Sequence, residues 1–182
     1  MNLLHEALGW KIAFILTAVF LFQATSVYAD STAEHGVKIG FVYNFAKFIE
    51  WPSRVFATVA APLRLCVLGE APLNGKLRLL SQRQAQGRSI DVTINPPARD
   101  WRSCHMLYLG ADETSQLKAV QRILDQAPVL TISDIPNFAH QGGIIELYIE
   151  NDRVQFAINL TTARRAGLKL NAQMLRMAKI VE

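Results

Sequence analysis

The sequence has few cysteines and histidines, and it lacks the motifs from which metal, cofactor and catalytic sites are commonly built. Its two cysteines form neither a CxxC pair nor a cluster with histidine, so a zinc site is not expected. There is no GxSxG elbow, and Gly142-Gly143 precedes a predicted strand instead of a helix, which indicates a turn and not a phosphate cradle. Repeats, low-complexity stretches and linkers are also missing. We therefore predict that the protein is not an enzyme and needs no metal or cofactor.

An apolar run of membrane-spanning length is missing as well. The run at 12–22 covers about half of the ~20 residues that a transmembrane helix needs. It follows Lys11 and precedes Val27-Tyr28-Ala29, a small-x-small cleavage pattern. We predict a signal peptide at 1–29, cleaved after Ala29, and a periplasmic protein; the alternative is an uncleaved membrane anchor.

The remaining residues, 30–182, have the length of one domain with a sizeable core. The formal net charge of +4 belongs to this part, because Glu6 and Lys11 cancel in the first segment. Such a mild excess is not typical of a nucleic-acid-binding surface, so no nucleic-acid partner is expected.

Residues 37–51 predict a first amphipathic helix with a wide apolar face. The face is formed by Val37, Phe41, Val42, Phe45, Phe48 and Ile49, whereas Lys38 falls on the polar remainder. Pro52 cannot continue a helix, so the helix is expected to end near Glu50 or Trp51. A face this wide predicts either a dimer interface or burial in the domain's own core.

Short apolar strands then alternate with helices. Strands are predicted at 63–69, 89–95, 105–110 and 128–133, with helices at 73–84 and 112–127. Two further strands, at 144–150 and 153–159, flank Asn151-Asp152, a pair suited to a hairpin turn. Asn159 and Asn171 are predicted helix caps, and Gly167 a helix stop. The pattern predicts an α/β fold: a mostly parallel sheet flanked by helices, Rossmann-like and three-layered, with a C-terminal antiparallel hairpin.

Two groups of charged residues are candidate binding sites. In a parallel sheet, ligands bind beyond the carboxyl ends of the strands, and acids follow three of these ends: Glu70, Asp112 and Asp134. They predict a crevice for a cationic group, although Asp112 also fits a helix cap and the other two ordinary loop acids. The basic candidates for an anionic ligand or an acidic protein surface are Arg54, Arg164, Arg165 and Lys169, which also fit solvated surface charge.

The two cysteines predict a disulfide. An even number of cysteines in an exported chain is most simply a bridge. Cys66 lies inside the first of these strands and Cys104 just before the third, and adjacent parallel strands would bring them within bridging distance.

Several segments together resemble the YfiR family of periplasmic proteins. They are residues 43–48 with Glu50-Trp51-Pro52, 65–69, 104–108, 142–145 with 153–159, and 163–169. The resemblance implies a repressor that binds the periplasmic sensor domain of an inner-membrane diguanylate cyclase, lowers cyclic-di-GMP synthesis and so limits biofilm formation. It further implies homodimers and sequestration by an OmpA-like outer-membrane lipoprotein. Family members can carry a second cysteine pair in the C-terminal half, which this chain lacks.

Two other functions compete with this one at the level of sequence. A periplasmic small-molecule sensor would use the crevice of Glu70, Asp112 and Asp134. A hydrolase would need Ser133, Asp134 and His140 to act together, without an elbow or an oxyanion hole to support them.

Overall fold

The computed structural model describes residues 26–69 and 72–182, with side chains from residue 32 onward except those of Pro72 and Asn74. The chain divides into two compact units, Met1–Glu34 and His35–Glu182. Most of the predicted signal peptide lies outside the described residues. In the first unit, the backbone is helical from Ser26 onward.

The second unit is built around an eight-stranded, mostly parallel sheet. The sheet order is β10-β8-β7-β6-β5-β2-β4-β3, and a separate ribbon pairs β1 with β9. The strands are β1 (Ile49–Glu50), β2 (Leu63–Leu68), β3 (Gln84–Ala85), β4 (Arg88–Ile94), β5 (Met106–Leu109), β6 (Leu130–Ser133), β7 (Ile145–Glu150), β8 (Arg153–Asn159), β9 (Lys169–Leu170) and β10 (Lys179–Val181). Strands β4, β2, β5, β6 and β7 run parallel, and β8 is antiparallel to β7. The predicted fold class is confirmed.

Successive residues of the central strands belong to different cores. Leu65 and Val67 of β2 join one apolar cluster, whereas Cys66 and Leu68 join another. Because side chains alternate between the faces of a strand, these clusters lie on opposite faces of the sheet. Every residue of β5 and β6 is buried, as expected for strands covered on both faces.

Helix α1 (Ser26–Phe48) ends earlier than predicted, and its residues in the second unit cover the first of these faces. Ile49 and Glu50 are extended and pair with Leu170 and Lys169 as β1. This pairing supplies backbone hydrogen bonds that a further helical turn would have supplied, so the predicted end near Glu50 or Trp51 is wrong.

The buried stripe of α1 is also rotated from the predicted one. Val42, Phe45 and Ala46 are buried in the main core, whereas Val37 is 49% exposed. Lys38, predicted to be on the polar side, is 7% exposed, and its Nζ lies 3.0 Å from Asp134 Oδ2. A buried ammonium group needs such a partner, and the sequence of the helix alone does not identify it.

The two helices predicted between the central strands are shorter or tighter than expected. Residues Pro72–Gln82 form a 3₁₀ helix, and the third connection starts as a 3₁₀ helix (Ala111–Gln116) before helix α2 (Leu117–Leu124). Leu117, Val120 and Leu124 of α2 pack into the second core, as the spacing predicts. Asp112 lies in the first 3₁₀ turn, whose N-cap residue is Gly110, so Asp112 is not the cap.

The C-terminal third follows its sequence signals closely. Asn151 and Asp152 have φ of 51° and 57°, the positive values that a two-residue hairpin turn of this kind requires. The Asn159 side chain accepts a hydrogen bond from Thr162 N at the start of helix α3 (Leu160–Arg165), and Gly167 follows it with φ of 73°. Asn171 likewise accepts from Gln173 N and caps helix α4 (Ala172–Met177).

Cys66 and Cys104 form the predicted disulfide, with their Cα atoms 5.9 Å apart. The register of β2 and β5 explains the proximity, because Cys66 lies opposite Leu107 and Leu65 opposite Met106. Both cysteines are buried in the second core.

Candidate functional site

A cavity of about 580 Å³ lies at the amino ends of β6 and β7. Three chain segments enclose it: α2 with the turn after it, the loop that enters β7, and α3. Its floor is apolar and includes Val129, Phe138 and Ile144, each buried to 98% or more. The volume lies in the range of small-molecule sites, and a mostly apolar lining with a few polar groups is typical of them.

Charged side chains surround this cavity. Lys118 and Arg122 are one helical turn apart on α2, and Arg165 comes from α3. Asp125 is the one acidic side chain among the described residues that line the cavity, and its Oδ1 lies 3.4 Å from Arg165 Nε. Both partners of this pair are 53% exposed, so the pair itself adds little to stability.

The loop that forms one wall of the cavity is held by two buried polar side chains. Glu146 of β7 accepts hydrogen bonds from Asn137 N (2.9 Å) and Ala139 N (3.2 Å). Asn159 Nδ2 donates to Ala139 O at 2.9 Å, while its Oδ1 caps α3. The same two side chains therefore fix the loop relative to the sheet and to α3.

Gly142 and Gly143 form the predicted turn at the end of this loop. Gly142 has φ of 91°, and Gly143 N donates to Phe138 O at 2.9 Å. A Cβ at position 143 would lie 2.1 Å from the Phe138 ring, so only glycine allows this close packing. Gln121 Nε2 donates to Gln141 O and ties the loop to α2.

The predicted acidic crevice lies at the opposite edge of the sheet from the cavity. Asp112 lies over Gly69: its Oδ1 is 2.8 Å from where a Cβ at Gly69 would stand. Asp134 follows β6 and holds the Lys38 ammonium group through Oδ2. Glu70 lies outside the described residues. Two of the three acids thus follow neighbouring strands, β5 and β6, and one of these is already paired with a cation.

The four predicted basic contacts occupy two connected segments. Arg54 lies in the 3₁₀ turn Ser53–Val55, while Arg164 and Lys169 are exposed residues of α3 and β9. Two contacts bring these segments together. Strand β1 pairs with β9, and Pro52 Cγ lies 3.8 Å from where a Cβ at Gly167 would stand. Arg165 belongs to the same helix but lines the cavity and pairs with Asp125.

The hydrolytic set of Ser133, Asp134 and His140 is not assembled. Ser133 is completely buried: its hydroxyl donates to Leu109 O at 2.7 Å and accepts from Ile135 N at 3.0 Å. Asp134 is engaged by Lys38, and His140 is exposed. A hydroxyl used in this way fixes the end of β6 and is closed to a substrate.

His105, next to the disulfide, is the one histidine with a strongly structural role among the described residues. Its ring stacks on Phe56 with centroids 4.4 Å apart, and Nδ1 accepts a hydrogen bond from Arg64 N at 2.9 Å. Burial lowers the pKa of His105 from its usual 6.5, and the charges of Arg64 and Arg88 act in the same direction. The imidazole is therefore neutral in the folded protein near neutral pH.

Sequence reasoning missed the cavity. Its lining comes from segments that are separated along the chain, and only the topology brings them together. One local signal was present: Lys118 and Arg122 have the i, i+4 spacing that places two basic groups on one helix face.

Within the described ranges 26–69 and 72–182, no group of three or more His, Cys, Asp or Glu side chains is arranged to hold a metal ion. Over the same ranges, none of the helices combines the length and the apolar character needed to cross a membrane.

Comparison with known proteins links the fold to a family. A conserved domain protein from Vibrio cholerae O1 biovar eltor is similar at 14% identity and a TM-score of 0.49, over 66% of this chain and 55% of that one. An ABC domain from Streptococcus pneumoniae, solved in complex with L-Trp, is similar at 12% identity and a TM-score of 0.48, over 65% and 55%. The chain thus spans little more than half the length of these solved structures.

The family model described as YfiR/HmsC-like matches residues 35–179. Because that match spans most of the chain, the protein belongs to the YfiR/HmsC-like family, whose members are regulatory, non-catalytic proteins of the periplasm.

Proposed function

We propose that the protein is a non-enzymatic periplasmic repressor of an inner-membrane diguanylate cyclase. It binds the periplasmic sensor domain of the cyclase and keeps cyclic-di-GMP synthesis, and with it biofilm formation, low. The observation that carries the proposal is the family match over residues 35–179. We also propose that residues 1–29 are a signal peptide, cleaved after Ala29, and that residues 30–182 are the mature domain.

Repression by binding requires a difference in affinity. A protein that binds two conformations of the cyclase equally well shifts nothing, so the repressor has to prefer the inactive one. An OmpA-like outer-membrane lipoprotein that sequesters the repressor would then restore cyclase activity by mass action. Neither step needs chemistry from the repressor itself.

The surface that we propose for the cyclase is the basic ribbon, defined by Arg54, Arg164, Arg165 and Lys169. Its backbone is fixed by the β1–β9 pairing and by the contact between Pro52 and the Gly167 turn. Exposed basic groups on a fixed surface steer an acidic partner and set its orientation, more than they add affinity. Arg165 is shared with the cavity, so Arg164 and Lys169 are the cleaner residues to test.

A binding measurement with charge-reversed variants tests this surface. The periplasmic domain of each candidate cyclase is immobilised, and the oxidised protein is titrated over it at several salt concentrations. Arg164→Glu/Lys169→Glu is expected to weaken binding about tenfold and to reduce its salt dependence. The matched control is Arg99→Glu, because the Arg99 side chain is 82% exposed and lies outside the basic ribbon. Equal binding by both variants would reject the ribbon as the contact surface.

A cellular measurement tests the function separately from the surface. Deleting the gene is expected to raise cyclic-di-GMP and biofilm in cells that express the cognate cyclase, and expression of the wild-type protein to reverse both. Unchanged cyclic-di-GMP with the cyclase present would contradict the proposed repression, whatever the binding data show.

We also propose that the protein forms homodimers. Val37 on α1 and Ile149 on β7 are large apolar side chains that are 49% and 47% exposed. Most of the wide apolar face predicted for residues 37–51 is used within the domain, since Val42, Phe45 and Ile49 are buried in the main core. Light scattering after size-exclusion chromatography is expected to give twice the protomer mass, and Val37→Glu to lower it. A wild-type protein that elutes as a monomer would contradict the proposal.

A small-molecule sensor is the second candidate function. The position of Asp112 supports it, because its carboxylate lies over Gly69 beyond the carboxyl end of β2, at the edge where parallel sheets bind ligands. A thermal-shift screen of cationic compounds, with Asp112→Asn as the control variant, tests it. Shifts that are identical in the wild type and the variant would exclude this crevice.

A further inference from the structure

The proposed repression assigns no ligand to the cavity at the amino ends of β6 and β7. We propose that it is a binding site for a small amphiphilic anion, a carboxylate with an aliphatic or aromatic body. The proposal does not depend on a protein partner, because every observation behind it lies within one chain.

The floor of the cavity selects an apolar body. Val129, Phe138 and Ile144 are almost completely buried, yet they line a volume of about 580 Å³. The lining of the cavity as a whole is mostly apolar, and such a lining gains free energy when hydrocarbon replaces water against it. A compact polyanion such as inorganic phosphate would leave this floor uncovered.

The rim of the cavity selects a negative head group. Lys118, Arg122 and Arg165 outnumber Asp125, the one acid among the described residues of the lining, which leaves an excess of positive charge at the opening. Arg165 is held 3.4 Å from Asp125 by a pair that is half exposed and weak. A bound carboxylate can therefore compete with Asp125 for the guanidinium group at small cost, and Arg offers the bidentate geometry that a carboxylate prefers.

The walls are held in place before a ligand arrives. Glu146 and Asn159 fix the loop that carries Phe138, and the Gln121 side chain joins this loop to α2. At the floor, the Thr131 hydroxyl accepts a hydrogen bond from Ile144 N at 3.0 Å, and a hydroxyl that accepts one bond still has its own proton to donate. Walls that need no ordering reduce the cost of binding.

The test is an NMR titration of protein purified from the periplasm with its disulfide intact, with octanoate as the probe. Saturable amide shifts at Thr131, Gly142 and Gly143 are expected, with a Kd of about 1 mM or tighter. Butyrate is expected to bind more weakly because it covers less of the floor. Octanamide and octylamine are also expected to bind more weakly, because they lack the negative charge. No saturable shift up to about 10 mM octanoate would overturn the proposal. Equally tight binding of octanamide or octylamine would overturn the anion preference.

Variants at the rim locate the head group by the sign of their effect. Arg122→Gln and Arg165→Gln are expected to weaken octanoate binding about five- to tenfold, and Asp125→Asn to tighten it about threefold, because it removes the competing acid. Arg164→Gln is the matched control: it neighbours Arg165, is exposed and does not line the cavity, so its Kd should equal that of the wild type.

A filling variant locates the body of the ligand. Ala166 lines the cavity and is 6% exposed, and Ala166→Leu is expected to abolish the shifts while the remaining amide spectrum stays native. A native-like Ala166→Leu protein that binds octanoate normally would place the ligand elsewhere and overturn the proposal. Rim variants that all bind octanoate like the wild type would also overturn the proposal. Their affinities test it even where Ala166→Leu fails to fold.

Discussion

Removing the Cys66–Cys104 disulfide is expected to cost about a quarter or more of the stability of the folded protein. The bridge closes a loop with a sequence separation of 38. The loop-entropy relation then gives a loss of about 13 cal/mol/K for the unfolded chain, or about 4 kcal/mol near 25 °C. Typical domains unfold with about 5–15 kcal/mol, so the effect is large.

Three samples separate the cross-link from the packing of its sulfur atoms. They are the oxidised wild type, the reduced wild type and Cys66→Ala/Cys104→Ala, each unfolded in urea. The reduced wild type keeps both buried sulfurs and is expected to lose about 3–4 kcal/mol from the missing cross-link. The double variant loses about 1 kcal/mol more for each cavity that it creates, since both cysteines are 4% exposed.

Two internal checks accompany this measurement. Reductant should not change the unfolding of the double variant, which has no cross-link to break. The oxidised wild type should show the smallest m-value, because its unfolded chain is more compact. A difference below about 1 kcal/mol between the oxidised and reduced wild type would refute the loop-entropy reasoning for this protein.

Three further predictions concern buried groups. Because burial lowers the pKa of His105, the unfolded chain binds more protons than the folded one below about pH 6.5. The free energy of unfolding in urea should therefore fall as the pH drops through 6.5 and level off below the folded pKa, and His105→Gln should flatten this slope. Glu146→Ala leaves the buried Ala139 N–H and the part-buried Asn137 N–H without an acceptor and should cost about 2–5 kcal/mol in the same assay. Glu146→Gln keeps one acceptor oxygen and should cost clearly less, and equal losses would contradict the hydrogen-bond explanation. Gly143→Ala should destabilise the protein by about 1–3 kcal/mol, because its Cβ would overlap the Phe138 ring. The control Gly40→Ala lies in a helix with open space around it and should stabilise the protein by up to about 1 kcal/mol, so effects of the same sign would count against this reasoning.

Features that depend on neighbours in sequence could be predicted. Asn151-Asp152 adopts the positive φ values of a hairpin turn, and Asn159 caps α3, because each of these residues acts on the backbone within a few positions of itself. The Cys66–Cys104 bridge joins residues that are distant in sequence. It could nevertheless be predicted, because it needs only that their strands are neighbours in the sheet.

Features that depend on distant segments of the chain could not be predicted from the sequence. Lys38 looks like a surface residue of an amphipathic helix, and its partner Asp134 is 96 residues away. Helix α1 stops at Phe48 because β9, over a hundred residues later, offers Ile49 a strand partner. Glu146 sits in an alternating strand and is buried only because the loop before β7 folds over its carboxylate.

The two proposed sites share one element, and this gives a test that neither provides alone. Helix α3 lines the cavity with Arg165, and with its C-cap residue Ala166, and presents Arg164 on the basic ribbon. A ligand that draws Arg165 away from Asp125 changes the charge of the ribbon at the same time. Thermodynamic linkage then requires reciprocity: the factor by which octanoate changes the affinity for the cyclase domain must equal the factor by which that domain changes the affinity for octanoate. Measuring both factors, in the wild type and in Asp125→Asn, is expected to give equal values that differ from one. Two factors of one would leave two independent sites on the same helix and exclude the cavity as an input to repression.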